Sequence, residues 1–461
     1  MSKDVEKKKE RVSKLVEMSR DNLPKAVLFL AWPIVVEMLL QSTVGIADTA
    51  MVGRLSPEAI AAVGLGNQFV MLLLTVFAAV RTGVTVLVAR SIGAGDIDGA
   101  NSAARQALLL TVIFGLTVSI FGIIFPDVGY RLLGASDEVI AVGADYLRWR
   151  VVASLFACII MAITGILRGC GDTITAMKVN VSVNLLNIFF NWVFIFGNLG
   201  MVAMGTAGAG AGTMFARLVG AIIMLRVLFS GKVGVKLNLS DNFRFNMDTI
   251  RRILKIGVPA GIEQVFMRGA QVFFTMIVTG LGTATYAAHQ IILRADSVAF
   301  MPGFGFAVAA TTLVGQNLGA KQPKEAEKAA RITMYMAIVF MSIIGVLIFT
   351  FARPIVVFFT NDPGVIETAI PPLRMIAFAL PFMAVARVTA GALRGAGDTK
   401  FVMWGTAISI WGARLGTGYL LVTVFGWGLM GAWMAMFADH ICRASIFFIR
   451  FIGGKWKHIE F

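Results

Sequence analysis

The octapeptide ILRGCGDT at residues 166–173 returns as ALRGAGDT at residues 392–399, 226 positions further along the chain. The same offset pairs Pro33 with Pro259, Glu37 with Glu263 and Gly93-Ala94 with Gly319-Ala320. It also pairs Ala103-Ala104-Arg105 with Ala329-Ala330-Arg331 and Leu147-Arg148 with Leu373-Arg374. Chance does not hold one register over so long a stretch, so the chain is a duplicated unit. Past the octapeptide the register is expected to slip by a few residues.

What is duplicated follows from composition. The 461 residues are 57% hydrophobic and 15% charged, with a mean hydropathy of +0.81, against roughly 45–50% and 25% in soluble domains. The apolar residues come in blocks of the length a helix needs to cross about 30 Å of hydrocarbon. A soluble enzyme and a nucleic-acid binder are excluded. Twelve blocks are expected to be transmembrane helices, near 26–53, 59–89, 104–125, 139–165, 174–196, 202–229, 252–281, 286–315, 332–352, 366–392, 401–425 and 429–450. The expected fold is all-α and polytopic: a cytoplasmic basic tail (1–25), an N-lobe of spans one to six (26–229), a linker (230–251), a C-lobe of spans seven to twelve (252–452) and a second tail (453–461). The first tail has no apolar core or cleavage site of a signal peptide. Its Val12, Leu15 and Val16 fit either a short surface helix or a solvated segment.

The formal charge of +15 reflects topology. Lys and Arg crowd the first tail, the linker, the C-terminal end and the loops after spans two, four, eight and ten; the opposite loops hold Arg54, Arg131, Arg148, Arg150, Arg353 and Arg374. The positive-inside bias places both termini in the cytoplasm. An even number of spans per unit makes the repeat parallel, related by a pseudo-two-fold axis along the membrane normal, as in transporters whose halves rock about a central site.

Order as well as content resembles a known family. Residues 33–55 (PIVVEMLLQSTVGIADTAMVGRL), the LRGxGDT motifs, the GAGD and GAKQ turns at 93–96 and 319–322, and YAAHQ at 286–290 resemble the MATE (multidrug and toxic compound extrusion) transporters. Their superfamily also holds lipid-linked oligosaccharide flippases. The resemblance implies a secondary-active antiporter exporting amphipathic, mainly cationic compounds in exchange for H⁺ or Na⁺, a monomer in the cell membrane. No catalytic residue and no cofactor other than the coupling ion are expected.

An ionisable group in mid-bilayer costs at least ~2.5–3.5 kcal/mol and needs a reason. Glu37, Gln41, Gly45 and Asp48 share one face of span one, the two carboxylates about 16 Å apart along the axis. Asn180, Asn184, Asn187 and Asn191 share one face of span five, as interhelical hydrogen bonds or polar site walls require. Members of the family hold Na⁺ or a proton between an aspartate in span one, an Asn and an Asp in span five and a Thr in span six. By motif these positions are Asp48, Asn187, Asn191 and Thr213, which would also be the metal ligands if the ion is Na⁺. Asn191 departs from the pattern, leaving one carboxylate.

In span seven Gln264, Arg268, Gln271 and Thr275 form a stripe with Glu263 beside it. Other members carry acids where this chain has Met267 and Ala384, so a C-lobe cation site of that type is not expected. Glu37, Gln41, Asn180, Asn184, Glu263, Gln264, Arg268 and Asp296 are read as substrate-cavity residues, with an ion pair of Glu263 to Arg268 or Arg294 as the structural alternative. Arg168, Asp172, Arg394 and Asp398 read as structural or gating pairs at the cytoplasmic side, and Arg148 and Arg374 as side chains that snorkel to the outer interface or cap a helix end. No Walker A motif appears, and no metal cluster or nucleophile–His pairing supports an enzyme. Arg81, Arg268, Arg294, Arg387 and Arg414 keep open an alternative, a flippase for a lipid or lipid-linked precursor.

Overall fold

A backbone in hydrocarbon must satisfy its own hydrogen bonds, and the long apolar runs do so as helices. The computed structural model describes residues 21–231, 234–238 and 243–459; residues 1–20, with the candidate surface helix, lie outside these. Fourteen helices follow one another: α1 (Leu23–Val52), α2 (Pro57–Gly93), α3 (Ile97–Ile124), the short α4 (Pro126–Leu132), α5 (Asp137–Cys170), α6 (Thr173–Phe196) and α7 (Gly205–Ser230). Then come α8 (Met247–Thr279), α9 (Thr283–Gly319), α10 (Pro323–Thr350), the short α11 (Ala352–Phe359), α12 (Pro363–Gly395), α13 (Thr399–Val424) and α14 (Gly428–Ile452). The twelve long ones are the expected spans. Among the described residues eleven are both long and apolar enough to cross a membrane. The twelfth, α8, has the length but carries Arg251, Arg252, Lys255, Glu263 and Arg268.

Local chemistry sets the breaks. Pro57, Pro126, Pro323 and Pro363 open their helices, where a missing N–H costs nothing. The Oγ of Ser56 accepts from the Ala59 amide at 3.1 Å and the Asp96 carboxylate from Gly99 at 2.8 Å, capping two helix starts. In the octapeptides, Gly171 and Gly397 take φ of 86° and 88°, a left-handed turn that glycine adopts without strain.

By contacts the described residues fall into two units, one built on Val36–Gly261, the other on residues up to Val35 and from Ile262 onward. The changeovers lie inside α1 and α8, three residues after Pro33 and Pro259, and not in the segment 230–251. The linker's described residues are tied to α3: Lys236 N–H donates to Asn101 Oδ1 at 2.9 Å, Gln106 Nε2 to the Arg244 carbonyl at 3.0 Å.

Each unit repeats the other's internal packing. In the first, the most enclosed long helix is α5; in the second, α9 and α12 are. Thr85 Oγ1 donates to the carbonyl of Gly165 at 3.0 Å, and Thr311 Oγ1 to that of Gly391 at 2.9 Å. A β-carbon at Gly169 would meet the Thr85 carbonyl at 2.7 Å, one at Gly395 the Thr311 carbonyl at 2.4 Å. The first glycine of each octapeptide, Gly169 or Gly395, therefore serves close helix approach. The register does not slip after the octapeptide: Asn180 and Thr406, 226 apart, fill the same role in their units, as shown below.

Candidate functional site

Glycine spacing also builds the polar centre of the first unit. Gly208 and Gly212 lie one turn apart on α7, and β-carbons there would meet the Phe194 carbonyl of α6 at 2.5 Å and Asn191 Oδ1 at 2.2 Å. With hydrogens instead, α7 lies against α6 and brings Thr213 Oγ1 within 3.1 Å of the Asn187 amide. Asn191 Nδ2 donates to Asp48 Oδ1, from α1, at 2.8 Å. Turned so that its nitrogen faces the carboxylate, the Asn187 amide donates to both Asp48 oxygens at 3.2 Å and accepts from Thr213. Asn187 and Asn191 are buried, and the Oδ1 of Asn191 is enclosed without a hydrogen-bond partner. The four residues expected to hold the coupling ion are thus brought together.

Two guanidinium groups act on Asp48 electrostatically, Arg150 and Arg217. Arg150, expected in an outer loop, is instead buried within α5, with Nη2 donating to Asn67 Oδ1 of α2 at 2.8 Å. Arg217 follows Thr213 by one turn on α7, a spacing that exposes its role once Thr213 is singled out.

The cavity candidates divide. Glu37 accepts from Arg168 Nη2 at 3.1 and 3.2 Å and from Asn180 Nδ2 at 3.0 Å. In the other unit Glu263, 3% exposed, accepts from Arg394 Nη2 at 2.6 and 2.9 Å and from Thr406 Oγ1 at 3.0 Å. These are one device built twice, each Arg coming from an LRGxGDT motif. Glu263 is spent on this pair, and its partner is Arg394 rather than Arg268 or Arg294. The octapeptide aspartates act separately: Asp172 accepts from the Thr175 amide at 3.0 Å, and Asp398 from Arg450 Nε at 2.8 Å. Gln41 and Arg268 are exposed, whereas Asn184, Gln264 and Asp296 are half-buried; one Asp296 oxygen is enclosed without a partner. Arg148, exposed, pairs with Asp145 at 2.7 Å, and Arg374 lies over the Phe349 ring at 5.5 Å.

The position matching Asp48 in the second unit is Phe274, fully buried. The carboxylate there comes from α14 instead: Asp439, 0% exposed, accepts from Arg443 Nη2 at 2.7 and 2.8 Å, from Arg414 Nε at 3.1 Å and from Ser409 Oγ. Sequence reading missed this cluster. Its signal was the repeat itself, since Asp439 and Arg443 fall 226 residues after Thr213 and Arg217. Asp439 is closed by two guanidinium groups in contact, whereas among the described residues Asp48 is contacted by amides.

The family model that describes MatE proteins matches residues 33–193 and again 259–420, two matches that begin 226 residues apart at Pro33 and Pro259. The chain belongs to the MatE family. It is 33% identical over 447 residues to the probable multidrug resistance protein NorM of Thermotoga maritima, covering 94% of this chain and 93% of that protein. A solved multidrug resistance MATE family transporter of the MOP superfamily, in an outward-facing conformation, superposes with a TM-score of 0.88 at 26% identity, covering 95% of this chain and 98% of the other. A MOP superfamily transporter from Pyrococcus furiosus, described as having reverse polarity of its binding pocket, superposes with a TM-score of 0.87 at 26% identity over 95% and 97%. The MatE assignment makes this chain a multi-pass membrane transporter; Asp48, Asn187 and Asn191 lie within the first matched segment and Thr213 beyond its end.

Proposed function

We propose that this MatE protein is a proton-coupled antiporter that exports amphipathic, mainly cationic organic compounds by alternating access. We place it as a monomer in the cytoplasmic membrane with both termini in the cytoplasm. The observation that carries this is the Asp48 centre, a single half-buried carboxylate held by Asn187 and Asn191, with Thr213 behind Asn187. Its NorM relative, named for multidrug resistance, supports the cargo. Asn187 and Asn191 turn amide N–H groups rather than oxygens to Asp48, so a metal ion beside the carboxylate would find few oxygen ligands, whereas a proton needs the carboxylate alone. This favours a proton over Na⁺.

The test is uptake of a fluorescent cationic dye into proteoliposomes under an imposed H⁺ or Na⁺ gradient, for wild type and Asp48→Asn. Uptake driven by H⁺ and lost in the variant is expected. Uptake driven by Na⁺ would replace the ion; no driven uptake under either gradient would overturn the antiporter. A lipid flippase is the second reading. Arg387 favours it, because its guanidinium stacks over Phe300 at 3.8 Å and makes no contact ion pair with a described residue, as an anionic cargo requires.

A further inference from the structure

The end of α7 carries a feature that ion exchange does not use. Ile222, Leu225, Arg226 and Phe229 stand at i, i+3, i+4 and i+7 and share one face of the helix. The returning chain at 234–238 lies beside that face, with Leu237 buried and Lys236 exposed. Together they line a groove of about 560 Å³ with no acidic residue in its wall. The peptide of Lys236 is fixed, its N–H donating to Asn101 Oδ1 of α3 at 2.9 Å, so the groove's second wall is anchored to the helix bundle.

The residues are ordered along α7. Ile222, 43% exposed, lies two turns inside a membrane-spanning helix that ends at Ser230, and Leu225 and Phe229 continue its apolar stripe. Arg226 and Lys236 stand at the boundary, and neither side chain pairs with an acid among the described residues. An apolar trough running into two unpaired cations at a membrane boundary matches one kind of molecule: an acyl chain joined to a phosphate. We infer that this groove is a binding site for an anionic phospholipid, its acyl chain along Ile222, Leu225 and Phe229 and its phosphate between Arg226 and Lys236. Basic pockets at membrane boundaries hold anionic headgroups in this way, and a zwitterionic lipid brings its own cation to a site that already has two. The site is independent of the transport reading, since it shares no residue with the Asp48 centre.

The test is native mass spectrometry of the full chain released from nanodiscs containing equal phosphatidylglycerol and phosphatidylcholine. Wild type is compared with Arg226→Gln/Lys236→Gln and with Leu225→Trp, which fills the groove without changing charge. Wild type is expected to retain one phosphatidylglycerol with a preference of about tenfold or more, as two basic side chains at a membrane surface imply. Both variants are expected to lose that preference while keeping the wild-type melting midpoint. Free glycerol phosphate at millimolar concentration should not displace the lipid, because the acyl chain holds it. Equal retention of both lipids by wild type, or an unchanged preference in the charge variant, would overturn the site; so would displacement by glycerol phosphate. If the charge variant does not fold, Leu225→Trp alone decides: an unchanged preference there places the lipid elsewhere.

Discussion

A β-carbon at residue 212 would stand 2.2 Å from Asn191 Oδ1 and 2.8 Å from its backbone nitrogen, so the helix contact that assembles the Asp48 centre admits only hydrogen there. Gly212→Ala should push α7 off α6 and part Thr213 from Asn187. Overpacking of this kind costs about 1–3 kcal/mol, enough to lower gradient-driven dye uptake roughly ten- to a hundredfold in a protein that still reaches the membrane. Wild-type uptake by the variant would show that the amides need not be held so closely. At Glu263 the consequence is stability, because truncation leaves Arg394 charged, half-buried and without its carboxylate. Glu263→Ala should destabilise by about 3–5 kcal/mol, read as a fall in the melting midpoint in detergent, and Glu263→Gln by less. The asparagine stripe of α6 and the polar stripe beside Glu263 were legible from spacing alone. Their partners were not, because Arg394 and Thr406 lie 131 and 143 residues beyond Glu263, and periodicity within one helix says nothing across helices.

At the scale of the element, α13 departs from the regular span that its apolar run suggested. It winds as an α-helix only to Ala407, then as π-helix over Ile408–Gly416 and again over Leu420–Val424. Hydropathy cannot show such widening, since it shifts which residues share a face without changing their character. What holds the first π-helical stretch is visible in its contacts: Ser409 Oγ donates to the Asp439 carbonyl at 2.9 Å, and Arg414 to the Asp439 carboxylate. π-Helical turns often mark functional places; here the winding aims Arg414 at α14. Asp439→Asn keeps the shape and removes the charge between Arg414 and Arg443, so it should destabilise by roughly 3–5 kcal/mol. Asp439→Leu with Arg414→Met and Arg443→Leu should recover much of that loss, since apolar replacement of a buried ion cluster is often neutral. Thermal melting of the two variants checks this, and equal midpoints would refute the account. The opposite holds for α8, whose apolar block over 252–281 reads as a span although the charges it carries leave it out of the eleven helices apolar enough to cross a membrane.

For the whole molecule, duplication supplies an internal control. Each unit holds a Glu–Arg pair from an LRGxGDT motif and a proline-bearing helix, α1 or α8, in which unit membership changes three residues after the proline. Beyond that point the copies differ, Asp48 standing in α1 where Phe274 stands in α8. The shared parts were readable from a single offset, which also sets Phe274 against Asp48 and Asp439 against Thr213; that Asp439 sits between Arg414 and Arg443 was not, because a contact of α13 with α14 leaves no mark in either helix's periodicity. If protonation of Asp48 bends α1, ion-dependent motion belongs to the first unit alone. Spin labels at Ile46 and Met201 report on it, and labels at Val272 and Trp427 occupy the repeat-equivalent places; all four positions are exposed, and the native Cys158, Cys170 and Cys442 are replaced. On acidification the first pair should change its distance in wild type and not in Asp48→Asn. The second pair should stay fixed in both. A pH-dependent change at Val272 and Trp427 of the same size would mean that the trigger lies outside Asp48, because the second unit has no carboxylate at the matching place in α8 and holds Asp439 between two arginines.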